Sequence, residues 1–140
     1  ILMQKEVVQL KLTSLLRCVQ RVQDKVPASS KELAADYDLQ DIVVLNIQRA
    51  IQISVDIATH LLADTTSTPG TMAEAFLLLH REGILTESTA QKMARSVGLR
   101  NIAVHEYTDP DWGIVHSVAG EHMDDFRDFG NEILDFLNKG

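Results

Sequence analysis

A single cysteine, Cys18, leaves this chain without an internal disulfide and without a thiolate cluster for a metal. It falls inside a helical stretch and reads as a small packing residue in a reducing compartment. No uninterrupted apolar run reaches the ~18–20 residues that span a bilayer. The N-terminus lacks the charged-then-apolar pattern of a secretory signal, so a cytoplasmic protein with no membrane partner is expected. Basic charge is also short. Thirteen lysines and arginines face twenty acids, a net charge of −7, which is the wrong sign for a general nucleic-acid binder. There is no P-loop, no GxGxxG and no GxSxG. The five histidines, His60, His80, His105, His116 and His122, show no i, i+4 pairing, so no metal ligand set and no cofactor are expected. Only three prolines occur, at 27, 69 and 110, and each falls in a loop between helical patterns.

What is present fits one helical domain, residues 1–140. The length allows a real core, and the apolar share of 45% is ordinary. Lys5, Lys11, Arg17, Arg21 and Lys25 outweigh Glu6 and Asp24 in residues 1–26, a local +3, whereas residues 109–140 carry a local −6. The asymmetry suits an RNA-sized ligand on one face. A normally solvated acidic protein fits the charge equally well.

The first helix is expected from Gln4 to Lys25, with Val8, Leu12, Leu15, Val19 and Val22 in one stripe. Arg17, Arg21 and Lys25 step by four on another face, either as a solvated flank or as a phosphate-facing stripe. A short helical turn follows over Lys31–Asp36, capped by Ser29 or Ser30. The next long helix, Leu39–Ala63, is apolar on more than one face, which points to a central position or a subunit interface. Its Asp56 and His60 lie four apart and read as a structural pair, with a catalytic pair as the alternative. Thr71 caps a helix over Met72–Arg81, with Gly83 closing it. Thr86 opens the fourth long segment. Thr89 stands three residues on, so the capping box lacks its acid. The last helix, Ile114–Asn138, carries Val115, Ala119, His122, Phe126, Phe129, Ile133 and Phe136, which makes His122 a core or interface residue and His116 an exposed one. The expected class is all-α, an up-down helical bundle of four to five helices.

Chemistry concentrates in Gly98–Tyr107. Arg100 offers a planar charged fork for phosphate oxygens. His105 is the natural proton carrier near neutral pH. Together they meet two needs of metal-free RNA cleavage: deprotonating a 2′-hydroxyl and stabilising the charged pentacoordinate phosphorus. On an ideal helix they stand about 140° apart, while Asn101 and His105 share a face. Pro110 ends the segment and leaves Tyr107 at or just past a helix end. Gly98 is awkward in a helix interior and is expected to allow either the close approach of another backbone or a local distortion. A base and an acid are both useful in this reaction, and the segment holds one histidine, so a symmetric dimer is chemically attractive. By residue type alone, a polar helix terminus fits the segment as well as a site does.

Leu99-Arg100-Asn101-Ile102-Ala103-Val104-His105-Glu106-Tyr107 resembles the Arg-x4-His-x-Tyr signature of HepT-like toxins in the HEPN superfamily. The resemblance extends through Leu39–Arg49 and the order of the remaining helices. It implies an all-helical, homodimeric, metal-independent ribonuclease of a bacterial toxin–antitoxin pair. It implies catalytic roles for Arg100 and His105 at a dimer-interface cleft, with Asn101 in support. The implied partner is an MNT-type nucleotidyltransferase antitoxin that silences the toxin by transferring AMP to Tyr107. The implied substrate is RNA, either tRNA or mRNA. The competing reading is a non-catalytic helical dimer that binds a nucleotidyltransferase or nucleotide.

Overall fold

The computed structural model describes residues 2–105 and 110–139, the side chains of 2–4 and 100–105 excepted. Among the described residues the architecture is all-helical: α1 Leu2–Lys25, α2 Ser30–Ala35, α3 Tyr37–Leu62, α4 Met72–Arg81, α5 Glu87–His105, α6 Trp112–Glu121 and α7 Met123–Lys139. Helix α1 packs on α3 and α7. Helix α4 packs on α5 and α3, and α7 also lies against α5. Short α2 and α6 lie against each other.

Helix starts follow local chemistry. Ser29 accepts the Glu32 N–H at 3.2 Å, Asp36 the Leu39 N–H at 3.1 Å, Thr71 the Glu74 N–H at 3.1 Å and Asp111 the Ile114 N–H at 3.2 Å. Each satisfies a donor that the first helical turn leaves free. Helix α4 closes on Gly83, whose φ of +79° is available to glycine at little steric cost. The Gly83 N–H donates to the His80 carbonyl and the Ile84 N–H to the Leu79 carbonyl, both at 2.9 Å, which is a Schellman closure. Ile84 and Leu79 are both buried, supplying the apolar contact that accompanies it.

Among the described residues seven helices form: the expected four to five left out the short α2, and the expected last helix divides into α6 and α7. His122 caps the end of α6 at φ −109°, ψ 0° and donates its N–H to Val118. His122 stands at this junction and is exposed, not core, and its ring donates to Asp125 at 3.2 Å, while Val115, Ala119, Phe126, Phe129 and Ile133 of the expected stripe are buried. Phe136 is exposed as well. His116, expected at the surface, is half-buried and donates from Nε2 to the Pro27 carbonyl at 2.7 Å, tying α6 to the end of α1.

The core is one cluster running through the long helices. Leu15, Val19 and Val22 of α1, Ile51 and Ile57 of α3, Phe76 and Leu79 of α4, Met93 of α5 and Phe129 and Ile133 of α7 are all shielded from solvent. Phe76 and Phe129 meet edge-on, centroids 5.6 Å apart at 84°, a geometry worth about 0.5–1.5 kcal/mol beyond area burial. Helix α3 is long and apolar enough to cross a membrane by length and composition, yet half of its most apolar window is buried inside the fold. It packs on α1, α4 and α5, as the expected central position requires, and Leu45 of the same helix stays exposed. Asp56 accepts from Gln52 Nε2 at 3.0 Å.

Candidate active site

Helix α5 bears the candidate residues, and its beginning is fixed by side chains from two helices. Thr86 Oγ1 accepts the Thr89 N–H at 3.3 Å, and the Thr86 carbonyl accepts the Ala90 N–H at 3.0 Å. A capping box would place an acid at position 89 to receive the cap residue's own N–H. Here Glu132 of α7 does so from across the fold, accepting the Thr86 N–H at 2.7 Å and the Thr89 hydroxyl through its second oxygen. The missing acid comes from 43 residues further along the chain. No short-range pattern could have revealed it; the acid richness of α7 was the one available hint.

The inner face of α5 begins with buried Thr89, Ala90 and Met93. Buried Ser96 donates to the Met93 carbonyl at 2.6 Å, satisfying its hydroxyl within the helix. Val97 and Leu99 are half-buried and pack on the core. Burial therefore thins toward the motif. Gly98 is exposed, and a Cβ there would meet nothing within 4 Å. Among the described residues, nothing makes the close approach expected at Gly98.

The helix continues without interruption through positions 100, 101 and 105. Its backbone places 101 and 105 one turn apart on one side and 100 about 140° around from 105, as expected. Tyr107 and its role lie outside the described residues, as do the side chains of Arg100, Asn101 and His105. Beside the preceding turns lies a hollow of about 540 Å³. Lys92, Arg95 and Leu99 of α5 line one wall, and His122, Asp125 and Phe126 the other. Among the described residues no three His, Cys, Asp or Glu side chains converge as metal ligands.

The ribonuclease HepT-like family model matches residues 15–133, spanning all of α3, α4, α5 and α6 and the motif. The chain belongs to the HepT-like family. It is 34% identical over 120 residues to the mRNA nuclease HepT of Shewanella oneidensis, covering 85% of this chain and 90% of that protein. It is 37% identical over 84 residues to the tRNA nuclease HepT of Aphanizomenon flos-aquae, covering 59% of this chain and 57% of that one. A solved structure of the tri-AMPylated Shewanella oneidensis HEPN toxin in complex with MNT antitoxin superposes with a TM-score of 0.82 at 32% identity, over 92% of this chain and 97% of that one. The expected HEPN-type helical fold and HepT-like membership are thereby both established. Within this HepT-like fold, Arg100, Asn101 and His105 occupy the last two turns of the helix that Glu132 holds at its other end.

Proposed function

We propose that this chain is the toxin of a toxin–antitoxin pair, a metal-independent endoribonuclease acting in the cytoplasm as a homodimer. The observation that carries the reading is one continuous helix bearing the Arg-x4-His spacing at its end, in a chain that aligns over most of its length with a nuclease. His105 takes the proton of a 2′-hydroxyl. The oxygen attacks the adjacent phosphorus, and Arg100 balances the charge on the pentacoordinate centre. The 5′-oxygen leaves with a proton, yielding a 2′,3′-cyclic phosphate and a 5′-hydroxyl. Two sites facing each other at a dimer cleft supply one histidine as base and one as acid. Asn101, one turn from His105, supports that histidine's orientation. The substrate is mRNA or tRNA.

Silencing follows from the same geometry. An MNT-type nucleotidyltransferase partner brings ATP. The Tyr107 phenol oxygen attacks the α-phosphorus, pyrophosphate leaves, and an AMP ester remains. The added negative charge and bulk next to Arg100 exclude RNA. The tri-AMPylated toxin of Shewanella oneidensis lends this reading its support.

The deciding experiment is His105→Ala, assayed for RNA cleavage and growth arrest. The expected loss is about 10²–10⁴-fold, the span ascribed to a general acid–base group. Cleavage at the parent rate would end the ribonuclease reading in favour of a binding module. Tyr107→Phe should stay toxic when the nucleotidyltransferase is co-expressed. Normal silencing of that variant would remove Tyr107 as the acceptor.

A further inference from the structure

A second site lies between α1 and α3. A groove of about 690 Å³ runs along their outer junction, and Arg17, Arg21 and Arg49 line it. All three arginines are exposed, and among the described residues no acid lies within ion-pair distance of any of them. Arg17 and Arg21 stand one helical turn apart on α1, about 6 Å along the axis. Arg49 approaches from α3. Arg17 and Arg49 both act electrostatically on Cys18 in the groove floor, so the two guanidinium groups converge on one region from two helices. The floor is partly apolar: Leu45 is 44% exposed and Ile42 half-buried. Buried Asn46 spends its amide on the Ile42 carbonyl at 2.7 Å. Asp41 is the groove's one acid.

We infer that this groove binds the phosphate backbone of single-stranded RNA as an exosite apart from the α5 motif, the strand's sugars and bases resting on Leu45 and Ile42. The inference rests on the ribonuclease reading for its choice of ligand. The physical case has three parts. Three unpaired cations in one groove reverse the sign of a protein whose net charge is −7. Arginine forks take phosphate oxygens two at a time. One helical turn is comparable to the separation of successive phosphates on an extended strand.

The test measures fluorescence anisotropy of a labelled 20-nucleotide single-stranded RNA of mixed sequence on the full chain carrying His105→Ala, so that binding is read without cleavage. Arg17→Gln, Arg21→Gln and Arg49→Gln are combined on that background. Loss of three phosphate contacts should reduce the slope of log K against log salt by about 2 and weaken binding about 100-fold at 0.1 M salt. Asp41→Asn, made alone, should tighten binding by about threefold. An unchanged slope and affinity in the triple variant would overturn the exosite, as would Asp41→Asn binding no tighter than its parent. So would a triple variant that holds RNA like its parent but no longer co-purifies with the nucleotidyltransferase, which would assign the groove to a protein. Cleavage by the triple variant, measured with His105 restored, separates the two readings. A nuclease with an unaltered salt slope keeps its catalytic site and loses the exosite, whereas cleavage surviving His105→Ala overturns the site and leaves the groove untouched.

Discussion

The two ends of α5 are built to opposite specifications. Its start is clamped by Thr86, Thr89 and Glu132, follows the Schellman turn at Gly83 and is buried at Ala90 and Met93. Toward its other end the core contact falls to half-buried Val97 and Leu99, Gly98 faces open space, and the polar motif follows. A helix held firmly at one end can present reactive groups at the other without those groups having to stabilise the fold. On the proposed reading, stability and chemistry are divided along one element, which is where catalytic positions on a rigid support are expected.

That division can be broken from either side. The largest effect is expected from Arg100→Ala: cleavage falls at least about 100-fold, as when one stabiliser of a developing oxyanion is removed, while the thermal midpoint moves little. A midpoint shift as large as that of a core truncation would mean that the motif end carries the fold after all. Glu132→Ala acts on the opposite end. It removes a carboxylate that satisfies two donors, and a cost of about 2 kcal/mol is expected, a drop of roughly 5–10 °C in the midpoint. Denaturant unfolding that matches the parent would show the clamp to be dispensable. The smallest effect belongs to Gly98→Ala. Nothing described stands within 4 Å of the added methyl, so helix propensity should raise stability by about 1 kcal/mol. If that stabilised variant loses cleavage and becomes monomeric by light scattering, the open side of Gly98 is where a second copy sits.

Much of this was legible in the sequence, for identifiable reasons. Thr71 and Ser29 mark helix starts through contacts that span three residues, and Pro27 marks an end because it has no N–H to continue the helix; both kinds of signal can be read from the sequence. The run Met72–Arg81 was expected and is observed with those bounds. His122 misled because its place in an apolar stripe assumed one uninterrupted helix from Ile114. The junction at His122 separates α6 from α7, and there Met123, not His122, turns into the core. Glu132 was invisible because its partners lie 43 and 46 residues away. The basic groove was half visible. Arg17 and Arg21 shared a face, but Arg49 joins them only through the packing of α3 on α1, and periodicity says nothing about which faces meet.

The clamp also orders events in time. As the chain leaves the ribosome, the segment holding Arg100 and His105 emerges before residue 132, and until then the Thr86 amide has only water for a partner. The motif helix thus gains its fixed start only after residue 132 has been made, and a nascent chain, or one cut before Glu132, would carry its motif on a frayed support. Amide hydrogen exchange at Thr86 reads this directly: slow in the whole chain, and fast once α7 is removed or Glu132 is replaced.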